Sequence, residues 1–331
     1  MSPRDRVNKL LHRGLDEEVE GNLNRANEHY LKAIKLAERA LGPDDEETLT
    51  GQTFLATNYR KLYRHKEAEN IDRDVLERYQ RTLGEKHEDT IKAMGNLALD
   101  LKGQGLVDEA IQLQEKSVQL MMDVAGEDSE WTMQGVSNLA NSYAVKRRYH
   151  NAAELHQKVL GWRKQILGRE HAMTIIAMDF LGMDYRGLGQ LELAVELQEE
   201  AVALAKTQLD PMHETTITCV LNLADTYLAL DHKDRTRSSQ QSGTRKAIEV
   251  LEEHLQAMPK AGDDYNPLLV GIMNNLAVAY MKVDRLHEAQ LLLRTCHTWN
   301  EEMLGDDHPR SATTRQNLDL VMEKLGENSG K

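Results

Sequence analysis

A fixed period of 42 residues constrains what this chain can fold into more than any single motif does. The triplets beginning at Phe54, Asn96, Asn138, Phe180 and Asn222 read FLA, NLA, NLA, FLG and NLA at steps of 42, and the pattern returns at Asn275 and Asn317 after one step of 53. A second series, Ala26, Ala68, Ala110, Ala152, Ala194, Ala247 and Ala289, keeps the same step and slips by the same eleven residues in the same interval. Two independent series with one common slip mark stacked units that bury apolar surface against their neighbours, not a single globular core. The slip lies in residues 231–246, DHKDRTRSSQQSGTRK, which hold no large apolar side chain and therefore predict a loop outside the core. Ser238 and Ser239 within it are candidate phosphorylation positions.

Each unit reads as two helices. Leu139, Ala140 and Tyr143, or Leu223, Ala224 and Tyr227, share one face of the first helix, and Ala110, Leu113, Ser117, Val118 and Leu120 share one face of the second. Small residues at that second face let helices approach closely. Gly105 and Gly189 fall between the helices of a pair, while Gly42, Gly84, Gly168 and Gly305 end pairs and predict left-handed caps. Thr48, Thr90, Thr132, Thr174 and Thr216 sit near the next helix start, where a side-chain oxygen is expected to accept a free backbone N–H. The period accommodates seven helix pairs and one closing helix. The units fall near 4–42, 47–84, 89–126, 131–168, 173–210, 214–262 and 266–305, with the closing helix at 309–325, and together form one domain over 1–325 followed by a tail at 326–331.

Composition agrees with an all-α chain: 40% of residues are hydrophobic, yet only 5% are aromatic and Phe occurs twice. The 54 acidic against 41 basic residues give a formal charge of −13, which disfavours nucleic acid and anionic lipid as partners. Cys219 and Cys296 stand far apart without a CxxC pair, so no disulfide framework or zinc site is expected. Neither a signal peptide nor a membrane-spanning run is visible, and the expected location is the cytoplasm.

The stretches LGEKHEDT, NLANSY and DEAIQL, with LGDDHPRSATT from Leu304, resemble the tetratricopeptide repeats of the kinesin light chain group over nearly the whole chain. A complete light chain carries a heptad segment ahead of its repeats, and here repeats begin almost at residue 1, so the resemblance is to the repeat array. It implies a right-handed α-solenoid of antiparallel helix hairpins whose first helices line a concave groove, with the Asn of each NLA hydrogen-bonding an extended peptide. The matching positions are Asn96, Asn138, Asn222, Asn275 and Asn317, and Phe54 and Phe180 replace the amide with apolar surface. An amide suits a peptide group because it both donates and accepts without imposing charge.

One turn further along the same face stand Thr57, Leu99, Asn141, Met183, Asp225 and Val278, and beyond them Arg60, Lys61, Lys102, Arg186 and Lys282. Basic residues at the groove edge of an acidic protein predict a ligand with acidic residues. His87, His171, His213 and His308 recur at one repeat position, too widely spaced to share a metal, and read as parts of the inter-repeat turn. Trp162, Trp299 and Cys296 read as core by position, with Cys219 the more exposed thiol. No nucleotide-binding, hydrolase or metalloprotease motif is present, so no catalytic residue, metal or cofactor is expected, and the chain reads as a protein-interaction module or scaffold. The alternative is an enzyme or small-molecule binder using a polar groove centre at Asp179 and Asp225, together with Asp184 and neighbouring Asn138, Asn141 and Asn222.

Overall fold

Thr48 Oγ1 donates to the carbonyl oxygen of Gly42 at 2.7 Å, and this bond recurs at every junction between helix pairs that carries the repeat. Thr90 reaches Gly84, Thr132 reaches Gly126, Thr174 reaches Gly168, Thr216 reaches Asp210 and Ser311 reaches Gly305, each six residues back and between 2.7 and 3.1 Å. The expected role of these hydroxyls is thus corrected from acceptor to donor. The capping acceptor sits three residues earlier: Asp45, His87, Ser129, His171 and His308 are N-caps, and His213 Nδ1 likewise accepts from Thr215 N at 3.1 Å. One residue starts the helix and the other locks the preceding turn, as the free donors of a helix start require.

The computed structural model describes residues 2–233, 241–258, 267–306 and 308–326. Among them the chain is all-α, with fifteen helices: α1 (Pro3–Val19), α2 (Leu23–Ala40), α3 (Glu46–Lys61), α4 (His65–Thr82), α5 (Glu88–Gly103), α6 (Val107–Ala125), α7 (Glu130–Val145), α8 (Tyr149–Ile166), α9 (Ala172–Gly187), α10 (Leu191–Gln208), α11 (Glu214–Lys233), α12 (Ser242–Ala257), α13 (Pro267–Lys282), α14 (Leu286–Leu304) and α15 (Pro309–Leu325). They form seven pairs and a closing helix. Two compact units divide them, residues 1–155 and 156–331, and within each unit consecutive helices pack side by side.

The alanine series sets the packing. Ala26, Ala68, Ala110, Ala152, Ala194, Ala247 and Ala289 are all fully buried, so a larger side chain at any of them would push helices apart. In the first unit Val7, Leu11, Tyr30 and Ile34 form one core cluster, and Leu49, Val75, Ile91, Met94 and Leu97 another. In the second unit Val270, Met273 and Cys296 pack with the half-buried Trp299. Trp162 and Trp299 therefore border the core and do not lie fully inside it. Cys219 is as buried as Cys296, and burial pushes both thiols up, Cys296 to about 12, which corrects the expectation of a more exposed Cys219.

Two turn expectations also change. Gly305, expected in a left-handed cap, ends α14 at φ 83 ψ 164, an extended mirror region that only glycine adopts freely, and Gly126 ends α6 in the same way at φ 89 ψ 159. In the polar segment 231–246, α11 runs on to Lys233 and α12 begins at Ser242, with Gly243 and Thr244 buried. The Asp231 carboxylate accepts from Gly243 N at 2.8 Å, Thr244 N at 2.7 Å and Thr244 Oγ1 at 2.6 Å, which fastens the start of α12. A Cβ at Gly243 would lie 2.1 Å from Tyr227 O, so the backbones meet there only because glycine has none. Ser238 and Ser239 lie outside the described residues.

Candidate functional site

The first helices of three successive pairs in the first unit, α3, α5 and α7, leave a half-open cavity of about 370 Å³. Tyr79 and Met121 contribute from the second helices; Phe54, Asn96, Trp131 and Asn138, with the charged Asp89 and Lys92, are among the residues that line the rest. The cavity exists because Gly95 stands where neighbouring repeats carry Thr53 and Ser137, and a Cβ built on it meets nothing within 4 Å. Asn96 is half-buried, and its amide makes no hydrogen bond among the described residues. Asn138 Oδ1 accepts from Gln134 Nε2 at 3.3 Å, which leaves its amide N–H free. Phe54 packs on the first core cluster, its ring 5.7 Å from that of Tyr30, and also lines the cavity. Three of the expected groove residues, Phe54, Asn96 and Asn138, thus meet in one place. Asn141 is half-buried but does not line the cavity.

The basic row divides differently from expectation. Arg60 Nε lies 2.6 Å from Asp100 and Nη2 2.9 Å from Asp72, both carboxylates being buried, so Arg60 is a structural cation and not a ligand contact. Asp72 is pushed up to about 8 by burial and by Asp100 beside it, against the opposing charge of Arg60. Lys61 pairs with Glu18. Lys102 is half-buried with no carboxylate partner among the described residues, and loss of hydration pulls its ammonium below the usual lysine range.

In the second unit two carboxylates of the expected polar centre are closed inside hydrogen-bonded networks, whereas Asp225 is exposed. Asp179 is 1% exposed and accepts from Asn222 Nδ2 at 2.6 Å and from Gln198 Nε2 at 3.2 Å; burial still pushes it up to about 6. Asp184, equally buried, lies 2.6 Å from His156 Nδ1. Neither can meet a substrate, which corrects the reading of an open acidic centre. Arg186 faces Asp225 at 3.6 Å, Asn275 Nδ2 donates to Asp225 at 3.4 Å, and the charge of Lys282 also acts on Asp225. Phe180 lies 5.4 Å from the His156 ring. Asn317 on α15 is half-buried, without a side-chain hydrogen bond among the described residues.

Sequence reasoning missed Gly95 and Trp131. A glycine inside a helix with no turn to make was one signal. The other was an aromatic residue at a helix-start position held by Glu47, Asp89, Met173 and Thr215 in other repeats.

A family model described as tetratricopeptide repeat matches residues 5–81, 52–123 and 131–207, and a second of the same description matches 269–310. The chain is a tetratricopeptide repeat protein. This tetratricopeptide repeat protein has the all-α solenoid architecture of its family, and solved structures share the fold at low identity. The TPR-like repeats of a kinesin light chain from Podosopora anserina align at 24% identity over 65% of this chain and 97% of theirs, with a TM-score of 0.54. A tetratricopeptide repeat protein from Parabacteroides merdae aligns at 14% over 96% of this chain and 99% of its own, TM-score 0.62. NprR, solved in complex with its cognate peptide NprX, aligns at 16% over 97% and 85%, TM-score 0.55. A search of curated proteins finds no significant match.

Proposed function

We propose that this tetratricopeptide repeat protein is an interaction module that binds an extended peptide segment of a partner across α3, α5 and α7. The observation that carries the reading is the cavity over Gly95, which brings two amides with free hydrogen-bonding capacity, Asn96 and Asn138, between Phe54 and Trp131. Amides at one-repeat spacing suit an extended main chain, and an apolar recess between them suits one anchoring side chain. The half-buried Lys102 on α5 has lost hydration without gaining a counter-ion, so an acidic ligand residue restores what folding removed. A structurally similar protein, NprR, is complexed with a peptide, which supports the same class of ligand.

Gly95→Leu tests this directly, because its Cβ enters space with no heavy atom within 4 Å and the rest of the side chain extends into the cavity. Peptides selected from a displayed library on the wild-type protein should lose at least tenfold in affinity for the variant, while its melting temperature holds or rises. Equal binding of the same peptides to both proteins would place recognition elsewhere.

A further inference from the structure

Within the first unit the first helix of each pair turns into the second through one residue of positive φ, at steps of 42: Gly21 (φ 80), Tyr63 (φ 59), Gly105 (φ 81) and Arg147 (φ 57). Any residue with a Cβ is disfavoured there, and glycine is the ordinary solution. A Cβ at Gly21 or Gly105 would meet no atom within 4 Å, so the position strains the backbone without crowding a side chain. Tyr63 and Arg147 therefore weaken the fold, and packing returns little of the loss. Tyr63 is 82% exposed, with one edge-on contact to His65, and Arg147 is exposed with no ion pair among the described residues. Other exposed cations beside these turns, Lys61, Arg64 and Lys146, already pair with Glu18, Glu67 and Asp108. Leu106 and Val145 add exposed aliphatic surface to the same edge.

The opposite ends of these helices carry the complement. Glu46 and Glu130 open α3 and α7, two periods apart as Tyr63 and Arg147 are; both are exposed and in no ion pair among the described residues. Leu83 and Val124, at the ends of α4 and α6, are exposed beside these helix starts. Acids at helix starts are ordinary and by themselves point to nothing. Strain kept at two exposed side chains is what asks for a partner. We infer that the edge bearing Tyr63 and Arg147 docks on the edge bearing Glu46 and Glu130 of a second copy of this chain. Both edges step by the same repeat, so contacts two periods apart on one are matched in spacing on the other. In register, Arg147 meets Glu130 with Val145 on Val124, Leu106 meets Leu83, and Tyr63 covers the exposed Pro43 with its hydroxyl toward Glu46. Tyr and Arg are side chains in which interfaces concentrate their binding energy, and a formal charge of −13 speaks against lipid or nucleic acid in this place. Because the two edges lie at opposite helix ends, each docked copy presents a fresh edge, and assembly continues instead of closing as a dimer. None of these residues lines the cavity over Gly95, so the contact stands or falls apart from it.

Sedimentation velocity of the full chain from about 1 to about 300 µM reads the average mass. The wild-type mass should climb past two chains as concentration rises. Tyr63→Gly and Arg147→Gly restore the glycine of the neighbouring turns, so each should raise the melting temperature while weakening association at least about tenfold. Arg147→Glu and Glu130→Arg should each stay at one chain, because each sets like charges against each other, and an equimolar mixture of the two should associate again. A wild-type mass of one chain throughout, a mass that stops at two, undiminished association in either glycine variant, or a mixture no heavier than its components would overturn the inference. So would lower melting temperatures in both glycine variants, which would remove the strain. Co-sedimentation with phosphatidylserine vesicles that Tyr63→Gly abolishes, in a wild type that does not self-associate, would give the edge to lipid and overturn it equally.

Discussion

Arg60 points its guanidinium inward onto the buried carboxylate of Asp100, 2.6 Å away, although its place in the repeat puts it on the row that borders the groove. Asp72 completes the cluster from α4. Three ionisable groups from three consecutive helices thus meet inside the first unit.

Removing Arg60 should therefore act on stability. Arg60→Ala leaves the buried Asp72–Asp100 pair without its cation and should cost about 3 kcal/mol, in the range seen when one partner of a buried pair is lost. Lys102→Gln, with no pair to break, should leave urea unfolding nearly unchanged and weaken only acidic ligands. A groove role for Arg60 would give the reverse pattern.

The same cluster predicts a pH dependence. Asp72 is raised from an ordinary 3.8 to about 8, so between these values the folded chain holds a proton that the unfolded chain has released. Its contribution to stability is complete below about 4 and is lost as pH rises through about 8. Asp72→Asn, which keeps a donor toward Asp100 and cannot ionise, should flatten the decline in melting temperature between pH 6 and pH 9. An unchanged decline would mean that other groups set it.

Histidine at the helix starts should be replaceable by its counterparts in other repeats. His87 Nδ1 accepts from Asp89 N at 3.3 Å, as Asp45 Oδ1 accepts from Glu47 N at 3.2 Å. His87→Ala should lose about 1 kcal/mol in chemical denaturation, whereas His87→Asp should recover most of it.

The units, their helices and the fully buried alanine series were legible because a period shared by two independent series fixes which face of each helix turns inward. The direction of polar side chains was not. Arg60 finds its partners 12 and 40 residues away, a pairing that helix periodicity alone does not reveal. One signal was available: a polar pair 28 residues apart repeats as Asp72 and Asp100, His156 and Asp184, and Gln198 and Thr226, the last two bonded at 2.6 Å. Polar residues recurring inside an apolar pattern mark internal networks, and the same logic would have turned Asp179 and Asn222 inward. The Gly95 cavity escaped because an absence of side chain has no signature until its neighbours are placed.

The threonine clamps carry a consequence for how such a chain grows. Because each hydroxyl closes a turn only six residues behind it, each of these six junctions brings its own fastening and borrows none from distant sequence. A genetic duplication or deletion of one whole period therefore delivers a junction already complete, whereas a breakpoint inside those six residues separates a clamp from its carbonyl. Lineages of such proteins are free to change their number of repeats in whole steps, while each surviving step keeps its own groove residues to diverge.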